Sequence, residues 1–319
     1  MENQASIAAM RAGLESVIVG QSALLDRLVV GLLTGGHILV EGLPGLAKTT
    51  AIKALAAGVH AGFKRIQFTP DLLPGDLTGS DVYNPREGSF CFVEGPLFHE
   101  IILADEINRA PAKVQSALLE AMQERQITVG GETRALPKLF MVMATQNPLE
   151  QAGTYPLPEA QLDRFLLHVS LDYPTPDEEL EILKRDRSGQ FERASAAPPM
   201  VDVPTVLAAR EEVKRVHLDE MLERYIVELV RATRNIAAWL PEMEGMVEVG
   251  ASPRASLAIA HAASAYAYLR NRDFVTPDDI IALAPDCLRH RIITSIAARM
   301  EKMSADSLIR KLLETVPVP

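Results

Sequence analysis

The stretch His37 to Ala51, HILVEGLPGLAKTTA, constrains the fold of this chain more than any other. Ile38, Leu39 and Val40 read as a buried strand, Gly42, Pro44 and Gly45 turn the chain into a loop, and Lys48 and Thr49 open a helical segment. Strand, glycine-rich loop and helix in that order make a phosphate cradle. Backbone N–H groups wrap the phosphates, a Lys ammonium reaches the terminal ones, and the following hydroxyl ligates Mg2+. Gly42, Lys48 and Thr49 match the pattern G-x-x-x-x-G-K-[ST], whereas Ala47 stands where its second Gly belongs. A Cβ is tolerated there if Ala47 has negative φ, as expected of a residue entering a helix, and a left-handed conformation would exclude it. A similar turn also serves ordinary α/β domains, so the residues downstream decide between the two readings.

The chain has 319 residues, 48% hydrophobic and 23% charged, enough for two domains with substantial cores. A formal net charge of -10 disfavours coating nucleic acid by bulk electrostatics, although a local basic channel remains compatible with it. The cysteines, Cys91 and Cys287, have no metal-ligand or redox spacing and read as buried or incidental thiols in a reducing compartment. No basic segment followed by an apolar stretch opens the chain, and the apolar region Leu28 to Val40 is too short and interrupted to span a bilayer. These features point to the cytoplasm.

Upstream of the loop, apolar residues at helical spacing in Ser6 to Val17 precede VIVGQ (Val17 to Gln21) and a second apolar helix through Leu33. VIVGQ either walls a nucleotide base or makes a plain core contact. Downstream, Thr49 to His60 continues as a helix and Phe63 to Phe68 reads as a strand. Thr69 to Pro96 is more than a minimal nucleotide domain requires. Its apolar flanks around Asn84 to Gly88 predict a hairpin or protruding loop, which serves either partner contact or decoration.

Ile101 to Glu106, IILADE, is an apolar strand ending in two acids. In a parallel sheet the carboxyl ends of the strands form the ligand crevice, so Asp105 and Glu106 are expected where the glycine-rich loop opens. There the first acid would hold Mg2+ and the second would polarise an attacking water. Pro111 to Gln126 is predicted as a helix, Ile127 to Leu136 as a hairpin around Gly130-Gly131, and Leu139 to Thr145 as a buried strand. Asn147 beyond that strand either positions water or simply turns the chain before Pro148. Arg164 says little by itself. After Tyr173 the chain reads as helices, with Ser188 to Pro204 as a linker. Ser252 as N-cap and Pro253 as first helical residue put Arg254 in a first turn, where the macrodipole disfavours a cation. It either meets an anion, a nucleotide phosphate foremost, or screens surface acids. No His or Cys spacing marks a metal site belonging to the protein alone.

The ordered set GLPGLAKT, ILADEINRAP, ATQNP, LPEAQLDRF and SPRA resembles the MoxR branch of the AAA+ ATPases, from VIVGQ to the helical C-terminal region. That branch shares the Ala47 departure. The resemblance implies an α/β P-loop NTPase core with a parallel sheet, residues 1–173, and a C-terminal helical lid, residues 174–319. ATP with Mg2+ would meet Val19 and Gly20, the loop residues Gly42, Leu43, Pro44, Gly45, Leu46 and Ala47, and then Lys48, Thr49, Thr50 and Asp105. Thr49 and Asp105 would hold the metal. By the same resemblance Glu106 is the Walker B base, Asn147 sensor 1, Arg164 a finger acting on a neighbouring subunit, and Arg254 sensor 2. It also implies a homo-oligomeric, usually hexameric ring, a von Willebrand A domain partner, and chaperone-like remodelling or maturation of client proteins. The Thr69 to Pro96 insert and the Ile127 to Leu136 hairpin resemble elements that contact substrate or partner in related ATPases. Alternative readings are a magnesium-chelatase-type ATPase subunit, a nucleic-acid motor, for which Arg86, Arg125 and Arg134 are a thin supply of cations, and an ATP-gated assembly module with little turnover.

Overall fold

The computed structural model describes residues 1–148, 153–190 and 200–319. Two helices, α1 (Gln4–Leu14) and α2 (Ser22–Thr34), lead into strand β1 (Ile38–Glu41), the glycine-rich loop and helix α3 (Lys48–Gly58). Then come β2 (Phe63–Gln67), the short α4 (Pro74–Thr78), a hairpin of β3 (Gly79–Asn84) and β4 (Ser89–Glu94), and β5 (Ile101–Asp105). Helix α5 (Ala112–Glu124), a second hairpin of β6 (Gln126–Val129) and β7 (Glu132–Ala135), β8 (Met141–Gln146), α6 (Glu159–Leu162) and β9 (Leu167–Ser170) follow.

Five strands form one parallel sheet in the order β2-β5-β8-β1-β9. Alternate residues of its strands enter opposite cores, as the two-residue strand period requires. Ile38, Val40, Ile101, Leu103, Met141 and Met143 face one side, with α2 and α3. Leu39, Ile102, Ala104, Val142 and Ala144 face the other, with Leu118 and Met122 of α5. Register brings Gln67 opposite Asp105 and Glu41 opposite Gln146, so the polar ends of neighbouring strands finish together. That alignment builds the site.

The two inserted hairpins form as expected, with Gly79 opposite Glu94 and Gln126 opposite Ala135. They pack on each other, the Arg134 guanidinium lying 4.1 Å from the centre of the Phe92 ring. Helix α5 ends sooner than Gln126, because Arg125 takes a left-handed conformation (φ 52) and Gln126 already belongs to β6.

Beyond β9 the chain is mostly helical: α7 (Pro176–Arg187), α8 (Val203–Val213), α9 (Glu220–Arg234), α10 (Pro253–Leu269), α11 (Pro277–Leu288), α12 (Ile296–Met300) and α13 (Ala305–Thr315). A small antiparallel pair joins β10 (Val247–Val249) to β11 (Ile293–Thr294). The expected linker Ser188 to Pro204 lies partly outside the described residues, and α8 begins at Val203, inside its expected span. The apolar core is continuous from the sheet through α1 and α2 into α10 and α11. Of the thiols, Cys287 is buried, and burial pushes its pKa up to about 12, while Cys91 on β4 is exposed. Among the described residues no helix is long and apolar enough to cross a membrane.

Candidate nucleotide site

The loop between β1 and α3 is pinned at both ends. Leu46 is buried in the core below it, and the Gly42 N–H reaches the Gln146 carbonyl at the tip of β8. Gly45 supplies φ 87, a conformation that only glycine adopts without steric cost. Ala47 overturns the expectation of negative φ: it sits at φ 55, ψ 17, left-handed, as the cap residue of α3. The loop must reverse at this residue to present the helix start. A left-handed Ala costs about 1–2 kcal/mol, and its methyl recovers part of that by packing on the core. No larger or branched side chain combines a low steric cost with such contact. Ala47→Val is therefore expected to destabilise the fold by about 2 kcal/mol, whereas Ala47→Gly stays within about 1 kcal/mol of the parent. Urea denaturation of the two variants checks this, since a negative φ would reverse their order.

Helix α3 begins with no side-chain cap. Its first-turn N–H groups are thus free of the usual competitor for an anion, and the macrodipole favours one there. Lys48 is half-buried and donates to the Gly42 carbonyl. Burial lowers its pKa, while the carboxylates of Asp105, Glu106 and Glu41 oppose that shift.

The acids are organised by a residue that motif reading passed over. Thr145, at the end of β8, donates its hydroxyl proton to Asp105 Oδ1 at 2.6 Å and accepts the Glu106 N–H at 2.9 Å. One hydroxyl thus holds both acids. Glu106 itself turns left-handed (φ 57) immediately beyond β5. Gln67 Nε2 donates to Glu106 Oε2 at 2.7 Å, and Arg109 lies 3.3 Å from the same oxygen. Arg65 holds Asp105 Oδ2 at 2.7 Å from a half-exposed position. On the other side of the loop, the hydrogen bond from His168 holds the Glu41 carboxyl below its ordinary pKa in spite of burial. Arg289, just after α11, donates to the His168 carbonyl and so links the helical region to the loop. None of these partners has a sequence signal, because each comes from strand register or from packing between distant segments.

A cavity of about 360 Å3 opens at this end of the sheet. Its lining runs from Pro44 to Thr50 and adds Asp105, Glu106, Thr145, Gln146 and Asn147. The structure therefore brings together the loop, Lys48, Thr49, Thr50, both acids and the buried Asn147. Gly42 and Leu43 are not part of that lining, and Leu43 packs against the core. Val19 and Gly20 are outside it. Gly20 approaches Glu178 of α7, and the neighbouring Gln21 side chain reaches the Asp172 carbonyl.

Arg164 and Arg254 are also outside the cavity lining. The Arg164 guanidinium has no hydrogen-bond or ion-pair partner among the described residues, while its backbone N–H closes a turn on Gln161. Arg254 is mostly exposed in the first turn of α10 and lies 3.5 Å from Asp163. The anion beside it in this structure is therefore a carboxylate of the same chain. Asp163 also receives Arg291, at 2.7 Å, so it joins the segment before β9 to the helical region.

A doubly covered parallel sheet with this loop and acid pair at its carboxyl end, followed by packed helices, defines a P-loop AAA+ core with a lid. Comparison with known proteins agrees. Residues 37–167 match the family described as "ATPase family associated with various cellular activities (AAA)", and residues 243–312 match "AAA lid domain". The chain is 45% identical to Chaperone MoxR1 of Mycobacterium tuberculosis, across 95% of this chain and 80% of that protein. It is also 45% identical to the uncharacterized protein YeaC of Bacillus subtilis, across 95% and 92%. A candidate ATPase from Cytophaga hutchinsonii, solved by crystallography, superposes with a TM-score of 0.92 at 45% identity, covering 100% of this chain and 96% of that one. The chain belongs to the MoxR-type AAA+ ATPases.

Proposed function

We propose that this ATPase hydrolyses ATP with Mg2+ and uses the cycle for chaperone-like remodelling or maturation of partner proteins. The observation that carries the reading is the single cavity in which the phosphate loop, both acids and Asn147 meet. Lys48 and the uncapped start of α3 hold the phosphates. Thr49 and Asp105 supply hard oxygen ligands for Mg2+. Held by them, the ion would neutralise charge on the phosphate oxygens. Asp105 is held by Arg65 and Thr145 in this structure and would offer a carboxylate oxygen to the ion. Glu106 acts as base toward water and Asn147 orients that water. Arg254 exchanges Asp163 for phosphate, and Arg164 reaches the site of the adjacent subunit.

That last role requires a homo-oligomeric ring, hexameric by analogy with the superfamily. We assign residues 1–173 to the core and 174–319 to the lid, a division supported by the position of all five strands of the large sheet before residue 173. Leu73, Val82, Tyr83, Phe90 and Val93 are exposed on and beside the first hairpin and offer an apolar surface to a client. A von Willebrand A domain protein is the expected partner and the cytoplasm the expected compartment. A nucleic-acid motor is less well supported. Arg134 is stacked on Phe92 and paired with Glu132, which removes one of the three cations noted on the central loops.

Steady-state phosphate release tests the reading. Turnover is expected to vanish with excess chelator, to return with Mg2+, and to be insensitive to single-stranded DNA. Full activity without divalent cation would overturn the metal assignment, and strong DNA stimulation would favour the motor.

A further inference from the structure

A second cavity, of about 730 Å3, lies at the opposite end of β1 and β8 from the nucleotide loop. It is formed by the last turn of α2, the segments leading into β6 and β8, α8 with the turn after it, and one side of α10. In a chain of net charge -10, this lining is basic: Arg125, Lys138, Arg210 and Lys214 stand against the single carboxylate of Glu211, which is already paired with Lys214 at 2.6 Å. Leu207, Val216 and Leu218 supply an apolar wall.

The arginines lack anionic partners. Arg125 Nη2 donates to the Gly35 carbonyl at 2.9 Å. Arg210 Nε donates to the Leu32 carbonyl at 2.8 Å, Nη1 reaches the Lys138 carbonyl at 3.4 Å, and Nη2 is buried with no partner. Neither guanidinium forms an ion pair among the described residues. The two converge on Gly35, where a Cβ would stand 2.8 Å from Arg125 Nη2 and 3.3 Å from Arg210 Nη1. Capping the C-terminal carbonyls of α2 accounts for Arg125 Nη2 and Arg210 Nε, and the Lys138 carbonyl accounts for Arg210 Nη1. Neither accounts for Arg210 Nη2, nor for a partly buried guanidinium set beside the exposed Arg125 without a counter-charge, which is costly for the buried one. Burial first, then the charge of Arg125, lowers the Arg210 pKa to about 10.

We propose that this cavity binds an amphipathic organic anion, with a carboxylate or phosphate head at Arg210 and Arg125 and an apolar body against Leu207, Val216 and Leu218. The head would neutralise the charge of the pair, and the volume lies within the range of about 300–1,000 Å3 typical of small-molecule sites. The site is separate from the nucleotide cavity and independent of the function proposed above.

Calorimetric titration of the full chain with decanoate, and with decanol as the neutral control, tests it. Decanoate is expected to bind at one saturable site about tenfold or more tightly than decanol. Arg210→Met is expected to weaken decanoate about tenfold or more, and Lys138→Glu, an exposed change at the rim, about threefold. Lys48→Ala, in the other cavity, is expected to leave decanoate binding unchanged. Circular dichroism checks the fold of each variant, and if Arg210→Met fails to fold, Lys138→Glu carries the test. Equal affinity for decanol and decanoate, absence of a saturable site, or unchanged binding in the folded variants would overturn the proposal. Loss of self-association in Lys138→Glu with no decanoate binding by the parent would assign these cations to a neighbouring chain and overturn it as well.

Discussion

Glu106→Gln is expected to lower ATP turnover by about 10²–10⁴-fold while ATP binding and assembly persist. The substitution keeps the shape of the side chain and removes its ability to take a proton from water. In barrier terms the loss is about 3–5.5 kcal/mol, at about 1.36 kcal/mol for each factor of ten. Gln67 and Arg109 flank the carboxylate, and Thr145 holds the backbone N–H at its base, so the amide variant keeps its place in the cavity wall. Single-turnover phosphate release gives the chemical step, and equilibrium binding of a labelled nucleotide gives the affinity. Normal turnover would sink the assignment of the base. Lost binding with lost turnover would instead mean that the acid shapes the pocket. The same variant, locked with ATP, is a suitable trap for clients in a pull-down.

The second large effect concerns the arginine finger. Arg164→Ala is expected to cost about 10³–10⁵ in turnover, the range for removing a charge placed on a phosphoryl-transfer transition state. Lys48→Ala is expected to be similarly inactive through lost phosphate contact. Mixed together, they should recover activity. An interface is intact when the loop of an Arg164→Ala subunit faces the finger of a Lys48→Ala subunit, about one interface in four at equal mixing of a ring. Activity plotted against mixing ratio is therefore expected to rise and fall through a maximum. A flat line at zero, with mixed assemblies shown to form, would count against action in trans. The absence of a side-chain partner for Arg164 among the described residues is the feature of one subunit that agrees with such a role.

Much of the candidate site was legible because its chemistry is local. A phosphate loop needs a strand, a tight turn and a helix start within a few residues, so Gly42 to Thr50 carry their own context. Asp105 and Glu106 become readable once an apolar strand is seen to deliver them to the same end of the sheet. Entry into a helix predicts negative φ at Ala47, whereas the path of the whole loop imposes the opposite sign. Arg254 lies in a first turn, as the Ser252-Pro253 pair predicts, yet its partner Asp163 lies before β9, and no spacing connects the two.

The order of the main elements, the phosphate loop, the acid pair and the family are written in the residues alone, since each rests on neighbouring residues and on the period of buried side chains. How these parts are held depends on the folded chain. Thr145 serves both acids because β8 lies beside β5 in one register, and Gln67 reaches Glu106 because β2 pairs with β5 on the other side. Arg125 and Arg210 meet at Gly35 because α2, α5 and α8 end near one point. Such meetings depend on strand register and helix packing, which the whole core sets at once, and no local pattern of residues encodes them.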